Sequence, residues 1–326
     1  MNLKAIGKWS LAVVFGSLVL IAGPVSTVQA EEWTPAGPIK LLIGFRAGGG
    51  TDTQSRLIAE ELEKRKGWKI IPENVAGKGG VVMSGQLKDQ PADGLSIGMA
   101  VTESYGYNMI ASKKSGYTKD DFTFLTTTTG SQMGIYAKTE RGWKTIADVV
   151  AAMNGGEEIA FGTMSPKLAD GAFLLGEKLG VKFNIVTGLK GGKGIMNALV
   201  ADDIDIGWGA GIQSKGVRSG QFVNLASGET KRLDISPDAP TLTELGLAYD
   251  FGAKFVLVAP AGISDAARSA LTNAIQEIVR DPATKANQFI NKSYSGPVLI
   301  SGAELDAFIS NGIEASRSLL EAASGG

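Results

Sequence analysis

Glycine-rich loops at the predicted starts of helices are the parts of this chain best suited to bind a ligand. The clearest is Phe45-Arg46-Ala47-Gly48-Gly49-Gly50-Thr51-Asp52, which follows an apolar run and leads into a helical pattern. Glycine lets the backbone approach a ligand closely, and the N–H groups and dipole of a helix N-terminus attract an anion. Thr51 and Gln54 also have the spacing of a capping box. The loop therefore favours binding of a carboxylate or a phosphate. The alternative is that its glycines only form a tight turn between the strand and the helix.

Three further loops repeat this chemistry. Gly77-Lys78-Gly79-Gly80 precedes a predicted helix, and so does Gly188-Leu189-Lys190-Gly191-Gly192-Lys193-Gly194. In Thr163-Met164-Ser165-Pro166, Ser165 is a favourable N-cap and Pro166 a favourable first helical residue. Ligands of open α/β sheets bind beyond the carboxyl ends of the strands. We therefore expect the four loops to converge on one anion site.

The residue types that most catalytic sites require are missing from this chain. It contains no cysteine and no histidine, which removes thiolate and imidazole nucleophiles and the commonest zinc ligands. The loop at Gly188 imitates a Walker A motif, but Lys193 comes one residue early and Gly194 stands where Ser or Thr is needed. No G-x-G-x-x-G fingerprint lies between a predicted strand and helix. We expect no catalytic residue, no metal and no cofactor.

The first 30 residues have the layout of a secretory signal peptide. Lys4 and Lys8 precede an uncharged apolar stretch at 11–22, and Val28-Gln29-Ala30 places small residues at the cleavage positions. The apolar run is shorter than the roughly 20 residues that a spanning helix needs. The sequence therefore predicts export, cleavage after Ala30 and a soluble mature chain.

Charge and length limit the function further. Without residues 1–30 the chain keeps 30 basic residues against 33 acidic ones, so nucleic acid is not an expected partner. The 326 residues less these 30 leave 296, a size at which single cores usually divide. Two lobes are therefore expected.

Strand and helix patterns alternate along the mature chain, which is typical of βαβ units and a parallel sheet. In a first series we predict strands at 38–45, 68–71 and 95–101 and helices at 51–64 and 81–88. In a second series, beginning after Thr126, we predict strands at 133–137, 158–162, 182–186 and 204–208 and helices at 145–152, 168–179 and 195–200. A strand at 255–258 and two amphipathic helices, the second opened by a capping box of Ser301 and Glu304, would return to the first lobe.

These motifs, in this order, resemble the solute-binding proteins of tripartite tricarboxylate transporters, the TctC or Bug family. The Phe45 loop is similar to the family's Pro-Pro-Gly-Gly-Gly-Thr-Asp-like loop, and Glu73-Asn74 with Gly77 and Gly79-Gly80 is similar to its second loop. Lys190-Gly191-Gly192 resembles its Lys-Gly-Gly segment, and 231–246 resembles its Lys-Arg, Pro-Asp-x-Pro-Thr and Glu-x-Gly tract. The likeness covers nearly the whole mature chain.

The resemblance implies an α/β periplasmic binding protein of type II-like fold, with two lobes that each hold a mainly parallel sheet flanked by helices. Residues 31–127 and 250–326 would form lobe one and 128–249 lobe two, joined by a hinge of two crossing strands. The chain would be a monomer that closes over a small organic carboxylate with two or three carboxyl groups, and would deliver it to the membrane permease subunits of the transporter. The ligand-binding residues implied are Phe45, Arg46, Gly48, Gly49, Gly50, Thr51, Asp52, Lys78, Gly79, Gly80, Thr102, Thr163, Met164, Ser165, Lys190, Gly191 and Gly192.

Two basic residues depart from the family's loops. Arg46 stands in place of a proline, and Val75-Ala76-Gly77-Lys78 in place of Arg-Pro-Gly-Ala. We hypothesise that the ligand carries two carboxylates and that Arg46 or Lys78 pairs with the second; the alternative is that both side chains face solvent. Asp52 also has two interpretations, because a carboxylate in a first helical turn can simply oppose the helix dipole.

Two other functions are compatible with the same residues. A sensory module would bind the same ligand and pass the signal to a membrane receptor, and neighbouring transporter genes would argue against it. An enzyme acting on a carboxylate, with Lys190 or Lys193 as its reactive amine, would convert the ligand instead of returning it unchanged.

Overall fold

The computed structural model describes residues 33–112 and 114–325. The predicted signal peptide at 1–30 and its cleavage site after Ala30 lie outside the described residues. The strands are β1 (Ile39–Ile43), β2 (Ile70–Asn74), β3 (Ser96–Val101), β4 (Phe122–Gly130), β5 (Met133–Lys138), β6 (Ala160–Gly162), β7 (Asn184–Val186), β8 (Ile206–Ala210), β9 (Phe222–Ser227) and β10 (Lys254–Pro260). The helices are α1 (Gly50–Lys66), α2 (Val81–Leu87), α3 (Tyr107–Ala111), α4 (Ile146–Asn154), α5 (Pro166–Leu179), α6 (Gly191–Val200), α7 (Ser214–Arg218), α8 (Asp265–Arg280), α9 (Lys285–Ser293) and α10 (Gly302–Ser324).

The strands form two five-stranded sheets, which define two lobes. The order in lobe one is β2-β1-β3-β10-β4, and in lobe two it is β7-β6-β8-β5-β9. In each sheet one strand, β10 or β5, runs antiparallel to both neighbours, and the other four share one direction. The prediction of two mainly parallel sheets flanked by helices is confirmed.

Both sheets are covered on two faces, which is why central strands such as β1 and β10 are largely apolar. In β1, Ile39, Leu41 and Ile43 pack into the core shared with α1, α8 and α9, while Leu42 belongs to the core on the α2 and α10 side. In lobe two the core beneath α4 and α5 contains Trp208, whose ring stacks on Phe161 with centroids 5.6 Å apart. The carboxyl ends of the strands are therefore held in place by packed side chains on both faces of each sheet.

The chain passes between the two sheets twice, at two adjacent segments. The first passage is Ser131 and Gln132, between β4 and β5, and the return enters β10 through Ala253. Ser131 N donates to Ala253 O over 2.8 Å, and Ala253 N donates to Ser131 Oγ over 2.9 Å. The Glu229 carboxylate accepts from Ser131 Oγ and from Met133 N, and burial raises its pKa. The passages thus run side by side, as expected for a hinge; the lobe boundaries themselves stay a prediction.

Several predicted elements need correction. β4 and β9 were not expected, and β4 runs across Thr126, where the second series was predicted to begin. α6 begins four residues before the predicted 195 and includes three of the loop's glycines, although Gly191, its first residue, has a left-handed φ of 76°. Three helices, rather than two, follow β10. The capping box of Ser301 and Glu304 is wrong, since Ser301 is the N-cap but its side chain makes no capping bond.

Candidate functional site

The N-terminus of α1 forms one wall of a cleft between the lobes. The helix begins at Gly50 with Gly49 as its N-cap, and no side chain caps it. The predicted capping box of Thr51 and Gln54 is therefore wrong: Thr51 lies inside the first turn, and Gln54 Oε1 accepts from Thr128 Oγ1 over 2.7 Å. First-turn N–H groups have no acceptor within their own helix. Those of Gly50 and Thr51, which border the cleft, thus remain available to an anion.

The Asp52 carboxylate holds this glycine loop in place. It accepts hydrogen bonds from Gly48 N over 2.7 Å, Arg56 Nε over 2.8 Å and Asn74 Nδ2 over 2.9 Å. Burial alone would raise its pKa, but the bonds from Gly48, Asn74 and Arg56 and the charge of Arg56 outweigh that effect and lower it. The ionised form of Asp52 is thus favoured, and its three hydrogen bonds hold the glycine loop in position. Its contact with a ligand stays a prediction.

Two helices of lobe two also point their N-termini into the cleft. α5 begins at Pro166 with Ser165 as its N-cap, and Ser165 Oγ accepts from Leu168 N over 3.4 Å. α6 begins at Gly191 with Lys190 as its N-cap, and no side chain caps it. The predicted Ser165–Pro166 helix start is confirmed. α1, α5 and α6 are each ten residues or longer, so each carries a substantial dipole.

These loops meet across the cleft. A Cβ placed on Gly79 would lie 3.0 Å from Ser165 Cβ, and one placed on Gly191 would lie 3.4 Å from Phe45 Cδ1. Lys193 Nζ lies 2.5 Å from the point that a Cβ of Gly48 would occupy. Each of these pairs joins lobe one to lobe two. The expected convergence of the glycine loops is therefore present, and the cleft is closed around it.

The cleft has two connected compartments that share Phe45, Gly79, Met164 and Ser165. The inner compartment contains about 680 Å³ of empty space, part of it open to solvent, and Gly50, Thr51 and Gly192 border it. The outer compartment contains about 1000 Å³ of empty space, part of it open to solvent, and is bordered by the Gly77 and Gly188 loops. First-turn residues of α1, from lobe one, and of α6, from lobe two, thus border the same space.

Eleven of the residues expected to bind ligand border one or both compartments. They are Phe45, Gly50, Thr51, Lys78, Gly79, Thr163, Met164, Ser165, Lys190, Gly191 and Gly192. The structure brings these residues together. Their contact with a ligand stays a prediction.

The other six expected residues, all of them described, border neither compartment: Arg46, Gly48, Gly49, Asp52, Gly80 and Thr102. Arg46 is exposed. Gly48 and Gly49 shape the turn into α1, and Gly80, with a φ of 96°, packs beneath Gly44. Thr102 Oγ1 accepts from Lys254 N over 3.1 Å, so its hydroxyl joins β10 to the end of β3. Contact of these six residues with a ligand stays a prediction.

An ion pair that the sequence did not predict forms one end of the inner compartment. Lys167, in the first turn of α5, places Nζ 2.9 Å from Glu103 Oε1 of lobe one. The two side chains are only 8% and 19% exposed. Lys167 Nζ also lies 5.8 Å from the centre of the Phe251 ring. The only local signal was a lysine in a helical first turn, where the dipole disfavours a cation unless an acid is close.

Tyr294, at the end of α9, is a second unpredicted wall residue. Its hydroxyl oxygen lies 1.8 Å from the point that a Cβ of Gly50 would occupy, so only glycine fits there. Burial raises the pKa of Tyr294, which keeps it a neutral phenol. It adds a polar atom beside the N-terminus of α1. Among residues 33–112 and 114–325, no group of three Asp or Glu side chains is placed to hold a metal ion.

Comparison with known proteins then decides the family. A family model described as the tripartite tricarboxylate transporter family receptor, TctC, matches residues 54–324. The chain belongs to this family. The match begins just after the first glycine loop, so it rests on the rest of the chain. The family predicted from the sequence is therefore confirmed.

Related proteins agree with that assignment. A UPF0065 protein of Agrobacterium vitis, from the TAR-I ttuE-ttuC' intergenic region, is 28% identical over 264 residues, which are 78% of this TctC-family chain and 75% of the relative. The structure of the periplasmic binding protein BugD superposes with a TM-score of 0.77 at 23% identity, over 89% of this chain and 99% of BugD.

Two further solved structures contain carboxylates. MatC of Rhodopseudomonas palustris, with bound malate, has a TM-score of 0.76 at 22% identity, over 88% of this chain and all (100%) of MatC. R. palustris Rpa4515, with adipate, has a TM-score of 0.77 at 19% identity, over 89% of this chain and 98% of that protein. Similarity at this level shows the fold, and the predicted two-lobed periplasmic binding protein fold is confirmed.

Proposed function

We propose that this TctC-family protein is an extracytoplasmic solute-binding protein that closes over a small organic di- or tricarboxylate and delivers it to the permease subunits of a tripartite transporter. The observation that carries the proposal is the meeting of the N-termini of α1 and α6, which no side chain caps, beside the Ser165 N-cap of α5 in one closed cleft. Such termini bind anions through N–H groups that their own helices leave unpaired.

The available donors are sufficient for useful affinity. A micromolar ligand requires about 8 kcal/mol. Hydrogen bonds to a charged group contribute roughly 1.5 to 3 kcal/mol each before the costs of association. Four to six such bonds, from the first turns of α1 and α6 and from the loops around Gly79 and Ser165, reach that value without a metal or a covalent bond.

The outer compartment supplies cations for further carboxylates. Lys78 and Lys190 border it from opposite lobes. The dicarboxylates malate and adipate occupy the structural relatives MatC and Rpa4515. A ligand with one carboxylate at the helix termini and a second near these lysines fits both observations.

The predicted export signal and the family both support a location outside the cytoplasm. A receptor that serves a membrane transporter meets its ligand outside the cytoplasm, and Lys4, Lys8 and the apolar run at 11–22 provide the route. The mature protein would start at Glu31. Intact-mass measurement of the periplasmic fraction checks this, and a mature chain that retains Met1 contradicts it.

The decisive experiment is identification of the natural ligand. Protein purified from its own host without denaturation should carry a small carboxylate that native mass spectrometry detects and that denaturation releases. Calorimetric titration of the stripped protein with that compound should give binding, and the compound should be recovered unchanged. Chemical conversion of the compound would favour the enzyme alternative, and the absence of binding by any carboxylate would refute the proposal.

A further inference from the structure

The wall of the inner compartment is mostly apolar. Its polar edge is the rim of Gly50, Thr51, Gly79, Ser165 and Gly192, together with Asn108, Ser131 and the hydroxyl of Tyr294. Beyond that rim the lining side chains are Phe45, Val101, Met133, Met164, Leu168, Ala210, Ile212, Phe251, Ala253 and Phe255. Such a surface gains free energy by covering hydrocarbon and loses it by covering a charge.

Glu103 and Lys167 are the only formally charged residues among the described residues that border this compartment. They are paired at 2.9 Å, so their charges offset each other. A carboxylate placed beside them would meet an ammonium that already has a partner and a carboxylate that repels it. Taking the new charge out of water would then be poorly compensated.

The same ion pair also marks where the compartment ends. Glu103 and Lys167 border a second groove on the far side, between the segment at 248–252 and α10. The pair therefore stands as a partition between the ligand cleft and that groove. Because Glu103 comes from lobe one and Lys167 from lobe two, closure of the lobes completes the partition.

We infer that the inner compartment holds an uncharged, apolar part of the ligand, and that the Glu103–Lys167 pair is the neutral end wall that limits its length and excludes a second anionic group there. This inference rests on the proposed function and specifies its ligand: a carboxylate with a hydrocarbon body. Any second carboxylate points the other way, toward Lys78 and Lys190 in the outer compartment.

The first test measures hydrocarbon burial with acetate, butanoate, hexanoate and 6-methylheptanoate as probes. Calorimetry on the stripped protein should show affinity rising with length, by up to about fourfold for each buried CH₂. Ala210→Leu, which narrows the inner compartment, should weaken 6-methylheptanoate at least tenfold more than acetate. The matched control is Ala151→Leu on the exposed face of α4, which should change neither. A series with no length dependence, or an Ala210→Leu effect equal for both acids, overturns the inference.

The second test removes one charge from the end wall. Adipate and 6-methylheptanoate have nearly the same shape and differ at the far end, where one carries a carboxylate and the other an isopropyl group. Glu103→Gln leaves Lys167 without its counter-ion, so the ratio of adipate affinity to 6-methylheptanoate affinity should rise at least tenfold. Adipate can also bind outward, toward Lys78, and this mode adds to its affinity in both proteins. The two proteins are therefore compared in the Lys78→Ala background, in which the outward mode is weakened.

Control measurements distinguish a failure of this inference from a failure of the proposed function. Glu73→Gln alters an exposed acid of β2 outside both compartments, and it should leave the affinity ratio unchanged. An unchanged ratio in Glu103→Gln, in a protein whose melting temperature shows that it is folded, overturns the end-wall assignment. If citrate or malate binds well while the hydrocarbon acids do not, the proposed function stands and this inference fails. If no carboxylate binds, the proposed function itself fails.

Discussion

Two cations on neighbouring loops of lobe one illustrate how position decides the role of a residue. Lys78 borders the outer compartment, and its φ of 47° is uncommon for a residue with a side chain. Arg46 is exposed and borders neither compartment. The sequence placed both on similar loops and could not separate them, because the direction of a loop side chain depends on the surrounding fold.

The first prediction uses this pair as test and control. Lys78→Ala should weaken a dicarboxylate such as adipate by roughly ten- to a hundredfold, the equivalent of one partly desolvated charge-assisted bond of about 1.5 to 3 kcal/mol. Monocarboxylates should be nearly unaffected, and Arg46→Ala should change neither, since exposed pairs contribute little. Calorimetric titration of the three proteins measures this. Equal adipate affinity in all three proteins would show that the Lys78 side chain faces solvent and does not pair with the ligand.

The second prediction concerns Asp52 and its dependence on pH. Asp52→Asn leaves Gly48 N–H and Arg56 with a weaker acceptor. We therefore expect the free energy of unfolding to fall by about 1 to 3 kcal/mol at pH 7. The folded-state pKa of Asp52 is lowered from the ordinary 3.8, so its contribution is complete above that value and is lost as the pH falls through the folded pKa. Urea unfolding at pH 7 and near pH 3 should therefore show a smaller difference from wild type at the lower pH.

The matched control is Asp89→Asn, which changes an exposed acid paired with Lys88 on the surface. Its stability should remain within about 0.5 kcal/mol of wild type. A similar loss in both variants would mean that net charge, and not the hydrogen bonds to Gly48 and Asn74, determines the effect.

At the scale of elements, the helices and strands that were predicted correctly were those with a local sequence signal. The starts of α1 and α5 follow from glycine, serine and proline at fixed offsets, and β1 follows from its apolar run. β4 was missed because Thr126 to Thr129 read as a polar connection. In the fold all four are buried, with Thr127 and Thr129 donating to the carbonyls of Val298 and Gly296 over 2.6 Å each. Threonine suits a strand when distant backbone satisfies its hydroxyl.

The residues that line the inner compartment could not be predicted from the sequence, for a related reason. Phe251, Tyr294 and Lys167 come from three distant segments, and none lies in a motif. Only the packing of lobe on lobe places them beside the glycine rim. The two predicted capping boxes also failed, at α1 and α10. At α1 the missing cap has a consequence, because a capping side chain would occupy N–H groups that an anion could otherwise bind.

The third prediction belongs to this scale and concerns the contact between the Gly77 loop and α5. Gly79 has a φ of 64°, and a Cβ there would lie 2.5 Å from Asn108 Nδ2 and 3.0 Å from Ser165 Cβ. Gly79→Ala should therefore hold the lobes apart and weaken ligand binding at least tenfold. Gly142→Ala introduces alanine at a similar φ, 77°, with nothing within 4 Å. Gly142→Ala should lower the free energy of unfolding by about 1 to 2 kcal/mol through backbone strain alone. It should leave ligand affinity unchanged.

The comparison between these two glycine variants separates strain from obstruction. Calorimetry gives the affinity, and thermal melts give the stability. If both variants lose affinity in proportion to their loss of stability, the contact between Gly79 and Ser165 has no special role in closing the cleft.

At the scale of the whole molecule, the cleft is shut by contacts that join the two lobes. Gly79 meets Ser165, Phe45 meets Gly191, and Lys167 pairs with Glu103 across the gap. Separation of the lobes would break these contacts and widen access to the inner compartment. The paired passages at Ser131 and Ala253 are narrow enough to bend while both sheets stay intact.

The final prediction is that ligand binding reduces the radius of gyration. Without ligand, the N-termini of α1, α5 and α6 face one another with no anion between their dipoles, so their like partial charges favour separation of the lobes. A bound carboxylate reverses that repulsion and draws the termini together. Small-angle X-ray scattering of stripped protein should therefore give a larger radius of gyration than the same protein saturated with its ligand. Gly79→Ala should show little decrease, whereas Gly142→Ala should contract like wild type. An identical profile with and without saturating ligand in wild type would rule out closure as the binding mechanism.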